Sequence, residues 1–247
     1  MTTIKPLYKY IMKNNLKSIF IFYIIMTIII HIGFFICKLS NGSSGGMGGM
    51  EIATIILLFS LVLCSYRETI NLSVQCGVSR KTVFISSLLA FITCGIITGT
   101  MDLLLSLLGN FYESHIGSFT YDSMYEQTFM KVGVIPEFND YIKVLLMCIG
   151  VNTAALIIAF LIGALNYRLS KTMKVIIPIS IFVFIFLIFP IVDYTIFDME
   201  ISEQMLKLLL WTFTSVSHTL IIAAVTILTA LSLTYLFIRR VKIDDKR

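Results

Sequence analysis

The chain has 247 residues, of which 57% are hydrophobic and only 13% charged, with a mean hydropathy of +0.93. A soluble domain of this length carries about a quarter charged residues, so the composition leaves no room for a water-soluble catalytic domain and indicates an all-α polytopic membrane protein. The net charge of +5 sits in basic patches that alternate with acidic loops, which points to contact with anionic lipid headgroups and not to nucleic acid.

Residues 4–17 open the chain with Lys5, Lys9, Lys13 and Lys17 every four positions. At helical spacing Leu7, Tyr8, Ile11 and Met12 gather on another face. The expectation is an amphipathic surface helix with its lysines toward lipid phosphates and Pro6 in its first turn, where no amide donor is needed. The apolar stretch 18–39 has no small-residue cleavage site, so it reads as a retained first span and not as a signal peptide. The glycine-rich run that follows, Asn41-Gly-Ser-Ser-Gly-Gly-Met-Gly-Gly, lacks the Gly-Lys-Ser/Thr ending of a phosphate-binding loop. It reads as a flexible outer connection.

A second span covers about 50–66 and leads into Tyr66-Arg67-Glu68-Thr69-Ile70-Asn71-Leu72-Ser73-Val74-Gln75-Cys76-Gly77-Val78-Ser79-Arg80-Lys81. Residues 67–76 suit a short helix with Ile70 and Val74 on one face. Gly77 suits the left-handed position that ends a helix, and Ser79 suits the N-cap of the next. The third span is expected over 83–109, followed by a polar and aromatic outer loop, 110–140, able to hold short interfacial helices. A fourth span covers 141–166 and a fifth 174–192, with Pro178 and Pro190 near its ends. Residues 193–210 read as an amphipathic outer helix or a partial re-entrant segment. The sixth span, 211–238, stops at Arg239-Arg240.

The basic patches set the topology. Lys5 to Lys17; Arg67, Arg80 and Lys81; Arg168, Lys171 and Lys174; and Arg239 to Arg247 alternate with loops carrying Glu113, Asp122, Glu126, Glu137 and Asp140, then Asp193, Asp198, Glu200 and Glu203. Basic flanks are retained on the cytoplasmic side, so six spans with both termini inside are expected. The five cysteines, Cys37, Cys64, Cys76, Cys94 and Cys148, show neither CxxC nor a Cys/His ligand spacing and read as free thiols.

Within the spans, Asp102 reads either as a cavity-facing anion for a cationic substrate or proton, or as a carboxyl hydrogen-bonded to a neighbouring helix near the outer interface. Asn152, His218 and His31 read as helix-to-helix hydrogen bonders, with Asp102, Asn152 and His218 retained as candidates for a substrate path. No hydrolase or metal motif is present, so no catalytic residue, metal or cofactor is assigned to this chain.

The run Thr69-Ile70-Asn71…Gly77-Val78-Ser79-Arg80-Lys81 followed by Val83-Phe84-Ile85-Ser86-Ser87-Leu88-Leu89 resembles the permease subunits of type-2 (ABC-2) ATP-binding-cassette exporters, small six-helix proteins common in Gram-positive bacteria. The motif covers about twenty residues, while length and span number are similar over nearly the whole chain. Many members carry a lysine early in the third helix where this sequence has Ser86-Ser87. The resemblance implies that residues 67–81 form a coupling helix, with Arg67, Glu68, Ile70, Asn71, Val74, Gly77, Ser79 and Arg80 meeting a separate ATPase. It also implies that residues 4–17 are an elbow helix. It further implies a plasma-membrane exporter of a hydrophobic or amphipathic cargo (a bacteriocin-like peptide, drug or lipid), with ATP and magnesium on two partner ATPases and a second permease, identical or paralogous. The alternatives are the membrane-embedded substrate-binding subunit of an importer, and an immunity or accessory protein that does not transport.

Overall fold

The computed structural model describes residues 4–39, 45–115, 119–130, 137–170, 172–174, 176–177, 180, 184, 186, 189–196 and 199–239. In chain order these form α1 (Ile4–Leu39), β1 (Gly45–Gly48), α2 (Met50–Gln75), α3 (Arg80–His115), β2 (Phe119–Asp122), α4 (Met124–Phe129), α5 (Phe138–Arg168), α6 (Phe189–Ile196), α7 (Glu200–Thr212) and α8 (Val216–Arg239). Five of these helices, α1, α2, α3, α5 and α8, are long and apolar enough to cross a membrane. The protein is a mostly helical membrane protein. The fifth span expected at 174–192 lies largely outside the described residues.

The centre of the bundle is the pair α3 and α5. Their apolar windows are 50% and 56% buried, against 22–28% for the other three. α5 also packs on α2 and α8, and α1 packs on α3. Lipid tails are as apolar as leucine, so helices inside a bilayer gain little by hiding leucine from lipid and depend on close fit. Gly95 and Gly99 supply that fit. A side chain at Gly95 would run into the Thr153 hydroxyl, and one at Gly99 would meet the Ile149 backbone nitrogen at 2.9 Å.

Cross-helix contacts fix the directions. Ile4 with Ser86, Met12 with Cys94, Tyr23 with Asp102 and His31 with Tyr112 are separated by 82, 82, 79 and 81 residues. α1 and α3 therefore run parallel, level for level. α2 runs the other way, since Tyr10 bonds Glu68 while Tyr23 lies against Thr54. α5 is antiparallel to α3, with Asn152 at Thr98 and Phe160 at Phe91. α8 ends beside the start of α3, where the Arg80 guanidinium donates to the Arg239 carbonyl at 2.7 Å. One end of the bundle thus carries Lys5, Lys9, Arg80, Lys81 and Arg239, and the other Glu51, Glu113, Glu126 and Asp140.

Two expected short helices are not separate elements. Residues 4–17 are the first turns of α1, continuous with the span. Leu7, Ile11, Asn15, Ile19 and Tyr23 are all buried at a spacing of four, and no breaker falls between Lys17 and Ser18, so the elbow stands upright against α3. Likewise α2 does not stop at Tyr66. The buried stripe Leu58, Val62, Tyr66, Ile70 and Ser73 carries it to Gln75, and residues 67–75 are its last turns. The turn beyond is as expected. Gly77 is left-handed, φ 65°, with the Val78 amide on the Ser73 carbonyl at 2.9 Å and the Gly77 amide on Val74 at 3.0 Å, which satisfies two orphan carbonyls. Ser79 caps α3 by accepting from the Thr82 amide at 3.2 Å.

The glycine segment is not merely a flexible connection. Gly45–Gly48 pairs in parallel with Phe119–Asp122, Gly45 opposite Phe119 and Gly48 opposite Asp122. With glycine at three of its four positions the strand lies flush against Thr120 and the Asp122 carbonyl. Outer loop 110–140 accordingly holds the end of α3, β2 and α4, whose Ser123 and Glu126 cap each other's backbone amides.

Residues 200–212 form α7, which buries no side chain. Its first turn is capped at a distance by Asp193, whose carboxylate accepts from the Ile201 and Ser202 amides at 3.2 and 3.0 Å; the Ser202 side chain and these amides hold that carboxyl below its usual range. The last helix starts at Val216 and not at 211, because the chain turns at Phe213–Ser215 and the Trp211 ring stacks on His218 at 3.9 Å.

Gly77 and Gly99 separate backbone strain from packing. Nothing lies within 4 Å of a side chain added at Gly77, so Gly77→Ala should cost only the left-handed backbone term, about 1 kcal/mol. Gly99→Leu should cost more, roughly 1–3 kcal/mol, by parting α3 from α5. Thermal unfolding in detergent followed by circular dichroism checks the order, and equal melting of the two variants would contradict the α3–α5 assignment.

Candidate functional site

α3 carries its small and polar residues on one stripe: Gly95, Thr98, Gly99, Asp102, Ser106 and Gly109, all buried. The close approach of α5 along this stripe sets Asn152 against Asp102. From the other side α1 contributes Tyr23 and α2 contributes Thr54. The result is a polar node in which four helices meet at one carboxylate that is only 3% exposed.

The geometry accounts for both carboxylate oxygens. Oδ1 accepts from the Tyr23 hydroxyl at 2.7 Å and from the Thr54 hydroxyl at 2.8 Å. Oδ2 accepts from the Asn152 amide at 2.8 Å. Thr98 donates its own proton to the Cys94 carbonyl at 3.0 Å, so its oxygen is free to accept from the Asn152 nitrogen at 3.2 Å. That arrangement fixes which way the amide points. Tyr23 also lies 3.0 Å from the Thr98 carbonyl. Each donor is neutral; Oδ1 keeps one donor when either hydroxyl is removed, whereas loss of the Asn152 amide leaves Oδ2 without a partner in a medium with no water to replace it.

Of the three residues the sequence suggests for a substrate path, the fold brings two together. Asp102 and Asn152 bond each other, and among the described residues they face neighbouring helices and not an open cavity. His218 belongs elsewhere. It closes the α7–α8 turn, with Nδ1 at 3.0 Å from the Trp211 carbonyl and 2.9 Å from the Thr214 hydroxyl. His31 does join two helices, its Nε2 meeting the Tyr112 hydroxyl at 2.7 Å.

Sequence reasoning missed Tyr23, Thr54 and Thr98, and also Glu51. Thr98 was within reach, four residues before Asp102 on the same helical face. Tyr23 and Thr54 come from distant helices and leave no local signal. Glu51, 5% exposed, sits one turn before Thr54 and accepts from the Met124 amide at 3.2 Å, so it ties α2 to α4. Among the described residues, Asn15 and Ser106, on either side of the node, are buried with no hydrogen-bond partner for their side chains, as is the Tyr66 hydroxyl.

At the basic end, the residues expected to meet an ATPase divide into two groups. Ile70 is buried and belongs to the core. Arg67, Glu68, Asn71, Val74, Gly77, Ser79 and Arg80 are exposed. Three of these brace the α2–α3 turn: Glu68 accepts from Tyr10 of α1 at 2.7 Å, Asn71 from Tyr167 of α5 at 3.2 Å, and Arg80 holds the end of α8. All five cysteines are free, and among the described residues no three His, Cys, Asp or Glu side chains converge where a metal could sit.

Fold and site define a class, a helical membrane protein organised around a buried interhelical carboxylate. No family model, no curated protein and no solved structure matches the chain.

The node makes a stability prediction. Tyr23→Phe and Thr54→Val should each lower stability in detergent by on the order of 1–2 kcal/mol. The double variant should lose more than the sum, because Oδ1 keeps one donor in each single variant and none in the double. Strict additivity in a melting or unfolding titration would show that the two bonds are not shared.

Proposed function

We propose that this chain is the membrane-spanning subunit of an ATP-binding-cassette exporter of the ABC-2 type, driven by ATPases on separate chains. One observation carries the reading. The sharp α2–α3 turn at the basic end exposes Arg67, Val74, Lys81 and their neighbours while Glu68, Asn71 and Arg80 tie it to α1, α5 and α8. A push on that turn reaches every described spanning helix.

The six-crossing topology is part of the proposal. α5 ends at the basic end, where Tyr167 meets Asn71, and α8 begins at the opposite end, where Val216 packs beside Tyr125 and Val144. A further crossing between them supports the six-span reading, in which α1 begins and α8 ends at the basic face. Basic flanks favour the cytoplasm for that face. Cargo would be hydrophobic or amphipathic, moved between two such subunits, identical or paralogous, in the plasma membrane of a Gram-positive bacterium. A non-transporting accessory role is the second reading, favoured by the fact that Asp102 and Asn152 have their hydrogen bonds filled within the chain.

Two measurements test this. A membrane-impermeant maleimide should label Cys76, exposed at the end of α2, only after the cells are opened, with Cys76→Ser as control. Purification from native membranes should retrieve an ATP-hydrolysing subunit in fixed stoichiometry, and Val74→Asp should lose it at unchanged melting temperature. Labelling of Cys76 from outside would overturn the topology, and a chain free of any ATPase would leave the accessory role.

A further inference from the structure

The upright position of residues 4–17 places their lysines at an unexpected height. By the α1–α3 offset, Lys5 is level with Ile85, Lys9 with Leu89, Lys13 with Thr93 and Lys17 with Ile97. Ile85, Leu89, Ile92 and Ile96 of α3 are 40–45% exposed and form an apolar outer stripe at those same levels. The basic limit of α3 is Lys81, sixteen positions below Ile97, which is about 24 Å along the axis at the helical rise. Arg67 of α2 is level with about Ile11 of α1, given the Tyr10–Glu68 bond, so Lys13 and Lys17 also stand above the basic limit of α2.

Tilting the molecule does not resolve this. Packed helices are about 10 Å apart, so bringing Lys17 and Lys81 into one headgroup plane would need an inclination of roughly 65°, whereas spanning helices tilt by about 20°. Letting the lower half of α3 protrude into water would expose four large apolar side chains. Sinking the lysines into hydrocarbon would bury charges that, among the described residues, have no ion-pair partner.

We infer that Lys5, Lys9, Lys13 and Lys17 form a vertical track for anionic phospholipid headgroups, which climb α1 to a depth where neighbouring α3 still faces acyl chains. Phosphates are the groups present at that boundary in quantity, and each lysine near an anionic surface attracts them independently of sequence. Among the described helices, the inner leaflet is thinned beside α1. Headgroup and tail of one lipid then meet the two helices together, the phosphate on the lysines and the chain on the isoleucines. The inference uses the cytoplasmic placement of the basic end proposed above but not the ATPase, so its tests use the permease chain alone.

Two readouts settle it. The first compares spin labels at Lys13→Cys and Ile92→Cys in a cysteine-free background, in bilayers of phosphatidylcholine with phosphatidylglycerol. The label on α1 should be reached by a water-soluble nickel chelate and the one on α3, at the same level, by oxygen from the hydrocarbon. Nickel access at both sites, or oxygen access at both, overturns the track. The second uses the native cysteines and spin-labelled lipids. The wild type should retain phosphatidylglycerol in its motionally restricted shell in preference to phosphatidylcholine, more weakly at high salt. The preference should fall by about fivefold per lysine replaced in Lys9→Gln, Lys13→Gln and Lys17→Gln, while Lys143→Gln leaves it unchanged. Equal retention of the two lipids by the wild type overturns the proposal, and so does loss of a copurifying acidic protein in the glutamine variants at unchanged lipid preference.

Discussion

Inside a bilayer, helices cannot be driven together by fleeing water, so this bundle rests on the contact between α3 and α5. Two glycines one turn apart let the backbones close to a distance that excludes lipid, and only at that distance does Asn152 reach Asp102. The carboxylate then recruits α1 and α2 through Tyr23 and Thr54. Shape brings two helices together, and a buried charge-bearing group adds two more. Neither works alone, since a carboxylate without its donors is costly in hydrocarbon and the glycine seam by itself has no claim on α1 or α2.

The spans were largely legible in the sequence because apolar length and basic flanks report on the bilayer residue by residue. Their ends were less so. The lysines at 5 to 17 and the charges at 67 and 68 look like boundaries, yet buried stripes at a spacing of four run straight through both. Helix continuity is decided by which face is buried, and that depends on the partner helix. The turn at Gly77 and Ser79 was readable because its chemistry is local. The site was half legible. Asp102 stands out as an acid in an apolar run, but its partners Tyr23, Thr54 and Asn152 come from three other helices, and their meeting depends on register. His218 misled for the same reason, since a polar residue in an apolar segment says nothing of whether it faces a helix or closes its own turn. The pairing of residues 45–48 with 119–122 left no pattern at all, because three of the four positions in β1 are glycines, which carry no alternation of side chains.

The two ends of the bundle differ in kind. At the basic end a tight turn with exposed charges is braced against three other helices by single hydrogen bonds to Glu68, Asn71 and Arg80. Such bonds in contact with water exchange easily. At the other end, contacts are buried and multiple: Glu51 on the α4 amide, Tyr121 seated over Gly109, and the reciprocal caps of Ser123 and Glu126.

The two-stranded pairing of β1 and β2 has a mechanical consequence. It staples the hairpin of α1 and α2 to that of α3 and α5 at one rim, through main-chain bonds that the glycines of β1 make possible. At the lysine-bearing rim the short α2–α3 turn joins the same two pairs through the chain itself, so the bundle is buckled at both rims.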